Sequence, residues 1–146
     1  MYAESRLLFW TVVVTGSRKN VNDPTLILTL GPRVLDMAKA AIFAPGPVLL
    51  AIQALIILCC WPVPFEALST DNTPVIAGAA LQLSMSIGLH VYGTGQDFAR
   101  SKVDGNQKES LRRAKIWTLC RLICQRYLTR ALSLVFGRAN RPPSLG

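Results

Sequence analysis

The sequence predicts an all-α fold of about five helices. Apolar residues recur at helical spacing, most regularly at Leu26, Leu30, Val34, Ala38 and Ile42. Proline-rich breaks at Pro45-Gly46-Pro47 and Trp61-Pro62-Val63-Pro64-Phe65 cut the chain into helix-length pieces. Two cap-then-proline starts, Asp23-Pro24 and Asp71-Asn72-Thr73-Pro74, mark where new helices open.

The first element is expected over Ser5 to Thr15, through Leu7-Leu8-Phe9-Trp10-Thr11-Val12-Val13-Val14. Its β-branched residues would also suit a strand, but Gly16-Ser17-Arg18-Lys19 ends the run as a helix C-terminus does. The second helix starts with Asp23 as cap and Pro24 at the first helical position, with Ile27, Leu35 and Ala41 widening its apolar stripe. Gly31-Pro32 should kink this helix without ending it, because the apolar period resumes in phase. The third runs from Val48 to Trp61, where Pro62 removes the next ladder donor. The fourth runs from Pro74 to Gly88 through Ala77-Gly78-Ala79-Ala80, small residues that should let it lie deep between its neighbours. Gly93-Thr94-Gly95 and Asp104-Gly105-Asn106 bracket an exposed linker. The fifth helix spans about Gln107 to Leu134. Leu111, Ala114, Trp117, Cys120, Cys124 and Tyr127 form its apolar side, with Leu119, Leu122 and Ile123 also facing a core. One domain is expected over 5–136 and a disordered tail over 137–146.

With 146 residues, 51% of them hydrophobic, the chain is long and apolar enough for one cored domain, and pervasive disorder is excluded. The net charge of +8 is all carried late. Residues 1–95 hold five basic and five acidic residues, whereas 96–146 hold eleven basic and three acidic ones. Such asymmetry fits an anionic partner, or simply a solvated helix face and tail. Met1-Tyr2-Ala3-Glu4-Ser5-Arg6 has no basic n-region, so the four cysteines are expected in a reducing, intracellular compartment.

No charge occurs from Ala40 to Phe65 or from Asn72 to Gln96, which makes a small two-span membrane protein with a basic C-terminal helix the rival reading. Length opposes it. Uninterrupted helix between Pro47 and Pro62 reaches about 21 Å, against a hydrocarbon core of about 30 Å. The second stretch carries Gln82, Ser84, Ser86 and His90, costly groups to place in lipid. A membrane is therefore not expected as a partner.

No side-chain set points to catalysis, and no catalytic, cofactor-binding or metal residue is assigned. His90, the single histidine, follows Gly88-Leu89 at a helix end and reads as a helix-end carbonyl partner. Gly93-Thr94-Gly95 lacks the strand and helix of a phosphate loop. Cys120 and Cys124 lie one helical turn apart, but adjacent Cys59-Cys60 chelate poorly, and four buried thiols are ordinary core residues. The fifth helix has too large an apolar face to be a basic DNA-reading helix.

Five short motifs occur in an order that resembles the middle regulatory domain of fungal zinc-cluster transcription factors. They are Phe9-Trp10; Asp23-Pro24-Thr25; Gln53-Ala54-Leu55 with Trp61-Pro62; Ala79-Ala80 with Gly88-Leu89-His90; and Arg112-Arg113 with Trp117. The match spans roughly Leu7 to Gln125 and is closest in flavour to the regulators of leucine biosynthesis and of weak-acid resistance. The resemblance implies part of a helical regulatory domain in the nucleus, controlling RNA polymerase II transcription through an effector- or partner-dependent conformational change. It allows a small-molecule effector, a homodimer and contacts with the transcription machinery. The family reads DNA through a six-cysteine, two-zinc cluster with Cys-x₂-Cys spacing. This chain has four cysteines and no such spacing, so zinc and DNA contact are expected only in a part not present in this sequence.

Overall fold

The computed structural model describes residues 2–20, 22–23, 25–43, 46–64, 71–91 and 107–139. Among them the protein is all-α, with five helices: α1 (Arg6–Ser17), α2 (Leu26–Phe43), α3 (Val48–Cys60), α4 (Thr73–Ser86) and α5 (Gln107–Ala139). The arrangement is layered around α3. α1 and α2 pack on each other and on α3, α4 packs on α3 and α5, α2 also reaches α4, and α5 returns to α3.

Local chemistry explains the boundaries. The Ser5 hydroxyl accepts from the Leu8 N–H at 3.2 Å and so caps α1. The Asp23 carboxylate accepts from the N–H and hydroxyl of Thr25 at 3.0 and 2.7 Å, holding the turn into α2. Pro24 lies outside the described residues, so its expected place at the first helical position is not described. α2 runs unbroken through Pro32. α3 ends at Cys60, with Trp61 as its cap and Pro62 next in the chain. Asp71 performs for α4 what Asp23 does for α2, accepting from the Thr73 N–H at 2.9 Å and from its hydroxyl. At the other end of α4, Gly88 adopts φ 68°, and the Leu89 N–H donates to Ser84 O at 3.0 Å. This left-handed stop lets Leu89 fold back into the core.

The deep helix is α3. Ala51, Ile52, Ala54, Leu55, Ile56, Leu58 and Cys59 are buried over more than half of its circumference, and Gln53, Ile57 and Cys60 on the remaining side are half-buried, as expected of a helix without a charged face. Burying Ile52, Leu55 or Leu58 stabilises the fold by about 1.5–3 kcal/mol each. The small-residue helix α4 does not have the deep position expected of it. Thr73, Ile76, Ala77, Ala80 and Ser84 form one buried stripe, while Gly78 and Val75 face outwards. Small side chains permit close approach on one face without requiring neighbours on the other.

The last helix departs further from expectation. Its buried stripe is Ile116, Cys120, Ile123 and Tyr127, with Trp117 packed alongside, whereas Leu111, Leu119 and Leu122 are exposed. α5 also continues to Ala139, so the helix takes in Gly137, Arg138 and Ala139. The linker expected over 93–106 and the tail over 140–146 lie outside the described residues. Among the described residues no helix is long and apolar enough to cross a membrane, which removes support from the two-span reading.

Candidate functional site

Three features of the described surface and core concern function: an apolar hollow between α1 and α2, a thiol cluster where α3 meets α5, and the outer face of α5. The hollow has a volume of about 240 Å³ and is lined by Trp10, Leu30, Arg33, Val34 and Met37. Trp10 comes from α1. The other four follow the i, i+3, i+4, i+7 rhythm of one face of α2. Arg33 is exposed at its rim and is its single charged residue, so the hollow offers apolar contact beside one fixed cation. The sequence reading assigned no residue here. The signal was present in the interruption of an apolar helix face by Arg33, but the facing Trp10 is visible only in the fold.

Cys60, Cys120 and Cys124 all lie near enough to Cys59 to act on its thiol. Cys59 and Cys120 are buried, Cys60 and Cys124 half-buried, and all four are free thiols. Burial pushes Cys59 up from 9.0 to about 12, and nearby Cys60, Cys120, Asp71 and Cys124 add to the rise. Cys120 is pushed up to about 11, mainly by burial, against a lowering hydrogen bond from Ser84. Their weak S–H donors reach backbone carbonyls, Cys59 to Thr73 O at 3.8 Å and Cys120 to Ala80 O at 3.9 Å. Both are therefore protonated packing groups at neutral pH, the wrong state for a nucleophile. Among the described residues no group of three or more cysteine, histidine or acidic side chains is arranged to hold a metal ion.

Polar side chains at this interface satisfy helix ends. The Tyr127 hydroxyl donates to Cys59 O at 2.8 Å in the last turn of α3. Arg113 donates to Ile87 O at 3.0 Å beyond the end of α4. Arg18 donates to Trp61 O at 3.0 Å and to Pro62 O, tying the end of α1 to the end of α3. Each occupies carbonyls that a helix C-terminus leaves without a partner. Of the Arg112-Arg113 pair, then, Arg113 is structural, and Arg112 pairs with Glu109 at 3.6 Å on the exposed side. His90 sits beside Trp117, ring centroids 5.8 Å apart, at the end of α4.

Comparison with known proteins gives consistent relatives. The sequence is 32% identical over 147 residues to the transcriptional regulatory protein SEF1 of Candida albicans, an alignment covering 99% of this chain and 15% of that protein. It is 34% identical over 113 residues to the putative transcription factor SEF1 of Kluyveromyces lactis, covering 77% of this chain and 10% of the relative. The putative transcription factor SEF1 of Saccharomyces cerevisiae gives 32% over 113 residues with the same two coverages. The chain thus spans only 10–15% of the length of these relatives. Their shared name differs from the leucine-biosynthesis and weak-acid-resistance subgroup that the motifs suggested. No family model matches the chain, and no solved structure does.

Proposed function

The chain is homologous to one segment of the SEF1 fungal transcription factors, which are zinc-cluster regulators, and from that premise we propose that it works as part of a helical regulatory domain controlling RNA polymerase II transcription in the nucleus. The observation that carries the proposal is the collinear alignment with the Candida albicans relative, which takes in all five helices. In this reading the domain has two packings, and an effector or partner that binds one of them better shifts the balance. The layered architecture supports such a device, because α1–α2 and α4–α5 meet mainly through α3. A small displacement of α3 would be felt by both layers. DNA contact belongs, in this proposal, to a zinc-cluster part outside this chain. No catalytic role is proposed.

The test fuses the 146-residue chain to an unrelated DNA-binding module and reads a reporter carrying that module's site. Nuclear accumulation and reporter output clearly different from the module alone are expected. A fusion that enters the nucleus and leaves output unchanged would count against the reading.

A further inference from the structure

Past its last core contact, α5 carries a hydroxyl with a distinctive set of neighbours. Tyr127 is the last buried residue of this helix among those described, and every described residue from Leu128 to Ser133 is exposed. The helix nevertheless continues to Ala139. Most helical stability in a protein comes from tertiary packing, so turns that lack it open at small cost. Ser133 lies more than a turn past Tyr127. Its hydroxyl donates to Arg130 O at 2.8 Å, a bond within its own turn that is lost when the turn opens. Nothing in the core has to move for this segment to unwind.

Protein kinases choose among hydroxyls by the pattern of side chains around the acceptor. One broad class selects arginine at the third position before it and a large apolar residue at the fifth. Thr118, Thr129, Ser133 and Ser144 are the hydroxyls of this chain with a basic residue at the third position before them. Their fifth positions hold Arg113, Cys124, Leu128 and Ala139 respectively. Only Ser133 combines arginine, Arg130, with a large apolar residue, and that Leu128 is 59% exposed. The fold separates the described candidates in the same sense. Thr118 lies between buried Ile116 and Cys120, where α5 cannot open without breaking the core. Thr129 is two residues from Tyr127, whose buried ring and bond to Cys59 O hold that turn. Residues 110–146 hold eight basic residues and no acidic one, so no carboxylate repels the acidic cleft such a kinase presents to arginine.

We propose that Ser133 is a phosphorylation site for a protein kinase that selects arginine three residues, and an apolar residue five residues, before its acceptor. The Ser133 Oγ attacks the γ-phosphorus of magnesium-bound ATP. The new O–P bond forms as the bond to the bridging oxygen breaks, ADP leaves, and the serine proton passes to the kinase's catalytic aspartate. Arg130, Arg138 and Arg141 are the only charged side chains that follow Tyr127 in the sequence. A phosphate of about −1.5 to −2 therefore cancels at least about half of the charge there. Two effects compete over the helix itself. The macrodipole disfavours an anion near a helix C-terminus, but it falls off within the last turn, and Ser133 lies more than a turn before Ala139. Arg130, one turn back, attracts the phosphate, so the helix persists and the surface field changes. The proposal rests on the sequence around Ser133 and its exposure, not on the regulatory reading, so either can fail alone.

The experiment incubates the full chain with magnesium-ATP and a calcium- and calmodulin-dependent protein kinase, an enzyme with this arginine preference. Mass spectrometry locates the phosphate. One phosphate on Ser133 is expected, and Ser133→Ala should take up almost none. Arg130→Ala should lower the rate at least about tenfold, as the loss of one charge-assisted contact does, and Leu128→Ala should lower it less. The modified chain should keep the circular dichroism and melting temperature of the unmodified one. No phosphate on the native chain would overturn the proposal, as would phosphate placed elsewhere with Ser133 bare. A Ser133 rate indifferent to Arg130→Ala would overturn it too. So would a melting temperature that falls on modification, because the turn would then carry core contacts.

Discussion

At the residue scale, what holds α5 against the rest is a hydroxyl on a helix end. Tyr127 is 8% exposed, and its hydroxyl satisfies a carbonyl of α3 that has no intrahelical partner. Tyr127→Phe keeps the ring and leaves that buried oxygen unpaired. Urea unfolding should show a loss of about 1–2 kcal/mol with an unchanged slope. The buried thiols act with a definite sign. Cys59 and Cys120 keep their protons in the fold to about pH 12 and 11, but release them near the ordinary value of 9.0 once unfolded. Their contribution is complete below that value. Above it the unfolded state ionises first, and stability falls as pH rises, on the order of 1 kcal/mol per pH unit for each thiol. Urea midpoints measured from pH 8 upwards should therefore drop more steeply for the native chain than for Cys59→Ala/Cys120→Ala. Parallel curves would show that the two thiols ionise in the fold as readily as out of it.

At the scale of elements, the points of contact are set by side chains small enough to disappear. Gly31 lies in α2 where that helix meets the segment after α3, and a Cβ there would run into Val63 Cγ1. Val63 is branched and 7% exposed, so it cannot swing aside. In an open helix Gly→Ala would stabilise by about 1 kcal/mol. Here overpacking should reverse the sign, and Gly31→Ala should lower stability by about 1–3 kcal/mol. Gly31→Ala/Val63→Ala should recover part of the loss. This contact explains where the sequence was legible and where it was not. Starts and stops were readable because they depend on neighbours in the chain: Asp23 and Asp71 act within two residues, and Pro62 ends the helix that precedes it. The close approach at Gly31 was not readable, because its partner lies thirty-two positions away. The alanines of α4 were read as a deep position for the same reason, since small size shows that approach is allowed and not which helix approaches. α5 gave the opposite error. Its leucines recur often enough to suit a core on almost any side, and only the fold shows that Ile116, Cys120, Ile123 and Tyr127 face inwards. The Trp10–Arg33 hollow and the meeting of four cysteines were likewise beyond reach, each being built from two helices.

For the whole molecule, the charge and the core occupy different parts of the chain. Core residues run from Leu7 to Tyr127, whereas the +8 charge belongs to the last third of the sequence. The turns after Tyr127 therefore contribute to the surface field and, among the described residues, nothing to the core. A chain ending at Thr129 tests this separation. It loses Arg130, Arg138 and Arg141 and no acidic residue, which lowers the net charge from +8 to +5. Its helices α1–α4 and the buried stripe of α5 are intact. The described side chains it removes, Arg130 to Ser133, are exposed, and removing exposed residues ordinarily changes stability by about 0.5 kcal/mol or less, with reduced repulsion among the remaining arginines offsetting part of even that. Thermal unfolding followed by circular dichroism should give a melting temperature within about 2 °C of the full chain, with less helical signal in proportion to the turns removed. Both values should be independent of protein concentration. A melting temperature that falls steeply on truncation, and rises with concentration in the full chain, would mean that copies shelter the projecting turns between them. The projecting part of α5 would then be a buried interface between copies and not an open surface.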